Sequence, residues 1–151
     1  MRLFQTFNLN YLFIIFLTFS ATWYFISNDK NKLVSASEKA ISSVVTISSS
    51  NNGLGSGVIF SKDGYIVTNL HILSSNNINV KLDNGKNYSA NIIGIDKNAD
   101  IAVLKIATED DLTPISFADS DTLMVGDKVL AIGNPYGIGT SVTSGIISAT
   151  G

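Results

Sequence analysis

Gly64-Tyr-Ile-Val-Thr-Asn-Leu-His71 and, further along, Asp100-Ile-Ala-Val-Leu-Lys-Ile106 decide how this chain is read. Each is a β-branched and aliphatic run with a titratable side chain at one end. His71 falls just past the first run, at a turn, and Asp100 opens the second, at a strand mouth. The interval between them is long enough for one hairpin. A general base has to be held in one tautomer, with an acceptor behind the ring nitrogen that does not react. On spacing alone, a histidine near a strand end is more often a satisfied structural residue, and an aspartate ahead of a strand is usually a turn former.

Working outward, the same β-type patterning recurs. Runs at Val44–Ile47, Leu54–Phe60, Tyr65–Thr68, Ile78–Leu82, Tyr88–Ile95, Ile101–Ile106, Val129–Ile132 and Ser141–Ile147 are separated by turn residues. Ser61-Lys-Asp-Gly64 and Asp83-Asn-Gly85 should each close a hairpin, with the Asn-Gly pair supplying positive φ. Short strands at this spacing predict an all-β barrel or sandwich. The stretch 108–124 is acidic, holds Pro114 and lacks a strand pattern, which marks a surface connection and a domain boundary. Ser35-Ala-Ser-Glu38 has capping-box spacing and predicts a brief helix over 36–42, and 28–35 reads as a polar tether.

The N-terminus differs in kind. From Phe7 to Ile26 the chain is uncharged, and about 20 apolar residues suffice for a helix to cross a bilayer core of ~30 Å. Trp23 and Tyr24 stand where an interfacial belt would be. Residues 1–27 are therefore expected to be a membrane helix or, alternatively, a cleaved signal. The cleavage candidates around Ala21 and Ala36 are poorly placed.

Composition removes several function classes. Beyond the apolar N-terminus the chain carries nine basic and twelve acidic residues, so no basic surface supports nucleic-acid binding. There is no cysteine, hence no disulfide, thiol nucleophile or cysteine metal cluster. With a single histidine, a zinc site is not expected, and no cofactor is implied. Ser56, in Gly55-Ser-Gly57, is not a nucleophile elbow, because the flanking residues continue as a strand; its glycines point instead to a bend or a close backbone approach. Ser144 lies inside another strand-like run, and Gly133-Asn-Pro-Tyr-Gly137 reads as a turn.

Four segments, in order, resemble the HtrA-type (Deg) serine proteases: Gly53-Leu-Gly-Ser-Gly-Val-Ile59, the His71 segment, Ala99-Asp-Ile-Ala-Val-Leu-Lys-Ile106 and Gly126-Asp-Lys-Val-Leu-Ala-Ile-Gly-Asn-Pro135. The closing Gly145-Ile-Ile-Ser-Ala-Thr-Gly151 is similar too. Together with the apolar N-terminus, the likeness is closest to the membrane-anchored DegS-like branch. The resemblance implies a trypsin-like two-barrel fold, with the first six-stranded barrel over 36–118 and, over 119–151, a connection and the opening hairpin of the second barrel. It implies His71 as general base and Asp100 as the carboxylate that orients it, with Thr68 and Asn69 as scaffold. The nucleophilic serine is expected from a later segment that these 151 residues do not include, so the chain alone is expected to be inactive. Further implications are protein or peptide substrates, a homotrimer, and an inner-membrane position with the protease part in the periplasm. The rival reading is a catalytically dead, membrane-anchored β module or gene-decay remnant with only a binding role.

Overall fold

The computed structural model describes residues 30–50, 53–134 and 137–150. The expected membrane helix or signal over 1–27 lies outside them. Among the described residues, no helix is long and apolar enough to cross a membrane. The chain divides into two compact units, Met1–Ala36 and Ser37–Gly151.

In the second unit, six strands close a barrel: β1 (Val44–Ser49), β2 (Gly53–Ile59), β3 (Tyr65–Asn69), β4 (Ile78–Lys81), β5 (Asn87–Asp96) and β6 (Ile101–Ile106). Their order around the barrel is β1-β2-β3-β6-β5-β4, every neighbouring pair antiparallel. Closure removes free sheet edges, which is how a small β domain avoids pairing with other chains. Alternate residues point inward, so Ile47, Ile66, Val80, Leu104 and Ile106 are fully buried and form the core with Val45, Ile59 and Ile78. A register shift between Ile92 and Gly94 bends β5 where it meets β6.

Two further strands, β7 (Lys128–Gly133) and β8 (Ser141–Ile146), pair only with each other. This is the two-stranded piece expected after the connection.

Three local expectations are corrected. The turn at Asp83-Asn-Gly85 closes with the Gly85 N–H donating to the Leu82 carbonyl at 2.9 Å, and only Gly85 has a positive φ, of 85°. Asn84 keeps the ordinary sign, so the hairpin uses the longer loop with a left-handed glycine rather than a two-residue turn. The helix near the tether is longer than the capping box implied: residues 30–41 are helical, so Ser35 and Glu38 lie inside it rather than at its start. The connection 108–124 is not wholly a surface segment. Leu112 is buried in the barrel core, and the Ile115 N–H donates to the Ile59 carbonyl at 2.8 Å.

Candidate active site

β3 ends at Asn69 and passes directly into a single 3-10 turn, Leu70–Ile72, which carries His71 at its centre. The turn is fixed from below by Ile72, which joins the barrel core. Ile72 fits because Gly55 on β2 has no side chain: a Cβ there would run into the Ile72 side chain. At Gly57 a Cβ would lie 2.6 Å from Ile47 Cδ1, so this glycine is also a site of close approach, as its neighbours in sequence suggested. Beyond the turn, Ser74 and Ser75 bond to Ser49 and Ser50 at the end of β1. His71 thus stands on a segment held by apolar packing on one side and by hydroxyl contacts on the other.

Asp100 lies immediately before β6, whose first residue, Ile101, pairs with Asn69. Its backbone is left-handed, φ 56°, the only positive φ at a non-glycine among the described residues. Aspartate tolerates this conformation better than most residues, and an outlier of this kind points toward a functional constraint. The conformation turns both ends of the residue toward β3. The Asp100 carbonyl accepts from the Leu70 N–H at 3.0 Å, and its Oδ1 accepts from the His71 N–H at 2.9 Å. Asp100 Oδ2 lies 2.5 Å from His71 Nδ1, a direct contact between the carboxylate and the ring. Asn69 Nδ2 donates to both the carbonyl and Oδ2 of Asp100, each at 3.2 Å.

The electrostatics follow from these contacts. The Asp100 carboxyl is held below its ordinary value, first by the hydrogen bond from the His71 ring and next by that from the His71 backbone N–H, against the opposing effect of its partial burial. The carboxylate therefore stays ionised and selects the tautomer in which Nδ1 carries the proton. Nε2 has no hydrogen-bond partner among the described residues, and the His71 side chain is 71% exposed. The arrangement is an imidazole oriented from behind with its second nitrogen available, which is the geometry a general base requires.

Thus the two residues singled out in the sequence are brought into direct contact. The serines weighed against them are occupied otherwise or lie elsewhere. Ser56 Oγ accepts from the Asn134 N–H at 2.7 Å, and Ser144 is exposed on β8. Among the described residues no group of three or more histidine, cysteine or acidic side chains is arranged to hold a metal. Two features were not anticipated: the Asn69 contacts and the left-handed Asp100. The one local sign of the first is an asparagine at the start of a helical turn, where its side chain would ordinarily cap.

A family pattern described as the trypsin-like peptidase domain matches residues 55–151. The chain is 53% identical over 102 residues to a probable periplasmic serine endoprotease, DegP-like, of Buchnera aphidicola subsp. Schizaphis graminum, covering 66% of this chain and 21% of that protein. It is 50% identical over 100 residues to the periplasmic serine endoprotease DegP of Escherichia coli K12, covering 65% of this chain and 21% of the relative. For the Escherichia coli periplasmic pH-dependent serine endoprotease DegQ the identity is 48% over 101 residues, with 66% and 22% covered. The chain spans about a fifth of the length of these relatives. Among solved structures, the serine endoprotease from Yersinia pestis superposes with a TM-score of 0.71 at 44% identity, over 77% of this chain and 44% of that one. These names are of the DegP and DegQ kind and do not single out the DegS-like branch. The all-β fold with its closed six-stranded barrel is trypsin-like, and the chain belongs to the trypsin-like peptidase domain family.

Proposed function

We propose that this chain supplies the general base, His71, and its orienting carboxylate, Asp100, to a serine endopeptidase of the cell envelope. The observation that carries the reading is the 2.5 Å contact of His71 Nδ1 with Asp100 Oδ2, with Nε2 left open. In such a reaction His71 takes the proton of an attacking serine hydroxyl and returns it to the leaving amine. Asp100 meanwhile stabilises the imidazolium. We take the attacking serine to come from polypeptide other than residues 1–151, as the family resemblance implies; Ser56 Oγ is engaged by the Asn134 N–H, and Ser144 sits on the exposed hairpin. The periplasmic names of the relatives support an envelope location.

The finer proposal is an inner-membrane protein anchored through residues 1–27, with the barrel in the periplasm, assembled as a trimer and acting on misfolded or regulatory membrane proteins under stress. The apolar run Phe7 to Ile26 supports the anchor.

The test is peptide cleavage by the product of the full reading frame, using unfolded casein as substrate. His71→Ala is expected to abolish turnover, and Asp100→Asn to lower it about 10⁴-fold, as the same change does in the two-barrel protease class. Unchanged turnover by either variant would overturn the assignment of that residue. Residues 1–151 alone are expected not to react with a fluorophosphonate probe, and labelling of them would mean that a serine of this chain is a nucleophile after all.

A further inference from the structure

We propose that Asn69 is a positioning residue, whose carboxamide clamps Asp100 in its left-handed conformation and fixes the oxygen that holds the His71 ring. The inference rests on the reading of His71 and Asp100 given above. Asn69 is the N-cap residue of the 3-10 turn, with φ −81° and ψ 140°. An asparagine there ordinarily turns its Oδ1 onto the free N–H groups of the turn. This one makes no side-chain cap bond. Its amide nitrogen is committed instead to Asp100, bridging the carbonyl and Oδ2 at 3.2 Å each. One donor group therefore spans the two ends of a residue whose φ of 56° is uncommon for anything but glycine.

The bridge has a directional consequence. Oδ1 is already fixed by the His71 N–H, and Oδ2 by the His71 ring. Without Asn69 the carboxylate retains these two bonds, but both come from His71, and no side chain of β3 reaches the carboxylate. With Asn69, the strand end, the Asp100 peptide and Oδ2 form one hydrogen-bonded unit. Because the Asn69 amide holds the carbonyl and Oδ2 of Asp100 together, its contribution is to the direction of the carboxylate. The amide also occupies part of the Oδ2 lone-pair space, which leaves the remaining direction aimed at Nδ1.

His71 is the only histidine, so selective ¹⁵N-histidine labelling of the full chain in detergent micelles gives a single imidazole to follow. A ring N–H bonded to Asp100 is expected to be strongly deshielded and slow to exchange with water. In Asn69→Ala that exchange should be about tenfold faster, the loss expected for one hydrogen bond to a charged acceptor. The urea midpoint should be little changed. Asn69→Ser, which restores a short donor, should recover part of the protection, while Asn69→Asp, which has none, should not. Protection unchanged in both Asn69→Ala and Asn69→Asp would overturn the proposal. A ring N–H unprotected in the parent chain, or insensitive to Asp100→Asn, would instead overturn the His71–Asp100 reading itself. Protection lost together with a large fall in the urea midpoint would reduce Asn69 to a folding role and also count against the proposal.

Discussion

The six-stranded barrel and the β7–β8 hairpin are built from similar sequence, yet they differ in what their side chains reach. In the barrel every strand has two partners, and inward residues such as Ile47, Leu104 and Ile106 are fully buried. In the hairpin each strand has one partner, β8 is exposed along its whole length, and Val142 and Ile146 face outward. The same β-branched alternation therefore yields a core in one place and an uncovered surface in the other. The lesson is that burial comes from closure, not from the hydrophobicity of a strand. It also explains why the candidate site is assembled where it is: β3, β6 and the turn after β3 belong to the closed part.

The sharpest way to break this comparison is a pair of truncations. Leu104→Ala is expected to cost ~2–5 kcal/mol, the range for an aliphatic removed from a packed core, whereas Ile146→Ala should stay within about 0.5 kcal/mol. Urea unfolding followed by far-ultraviolet circular dichroism reads both, and equal losses would mean that the hairpin is covered in solution.

Next in size is Gly55→Ala. The added methyl group meets Ile72, so overpacking should cost ~1–3 kcal/mol and displace the turn bearing His71. The equivalent change at Gly145 on β8, where a Cβ would meet nothing within 4 Å, should not. A tolerated Gly55→Ala with an undisturbed His71 resonance would show that Ile72 does not anchor the turn.

Among the described residues a polar clasp joins the two regions: the Asn134 N–H donates to Ser56 Oγ, Asn134 Nδ2 to Thr46 Oγ1 at 2.8 Å, and the Gly139 N–H to Asn134 Oδ1 at 3.1 Å. Ser56→Ala leaves the Asn134 N–H unsatisfied, at ~1–3 kcal/mol, and should speed amide exchange in β7 and β8 while leaving β1 to β6 protected. Uniform acceleration throughout would mean that barrel and hairpin open as one unit.

The smallest effects are electrostatic. Asp100 has a lowered value in the fold, so its stabilisation is complete above its unfolded value and is lost as pH falls through the lower folded one. On acidification the end of β3 should thus loosen from the start of β6. The Lys86–Asp110 pair is arranged oppositely on its two sides. Asp110, lowered first by the hydrogen bond from Lys86, behaves like Asp100 in acid. Lys86, raised first by the hydrogen bond to Asp110, contributes below its unfolded value and loses that contribution as pH rises through the higher folded one. Lys86 is exposed and Asp110 keeps its bond from the Tyr88 hydroxyl, so Lys86→Met should leave the midpoint at neutral pH unchanged within error. A measurable fall would mark it as a structural tie.

Much of this was legible in the residues. The eight strands among the described residues follow from β-branched alternation and turn signals, because side-chain period and glycine placement are local properties. Of the two readings of Gly55 and Gly57, a bend or a close approach, the structure shows the close approach, and His71 and Asp100 stood out at strand ends. Length of helix 30–41 was not legible, since a capping box also fits inside a helix. Nor was the burial of Leu112, which depends on where an irregular segment crosses the barrel.

What the sequence determined by itself is the set of strands, their turns and the residue types offered at their ends. The tertiary structure alone decided that β3 and β6 lie side by side, that Asp100 turns left-handed, and that Asn69 reaches across to it. It alone joined Asn134 to Thr46 and Ser56. The physical reason is range: hydrogen bonding and side-chain alternation within a strand are fixed by neighbours in the chain. Contacts across a closed sheet depend on the order and register in which distant segments pair.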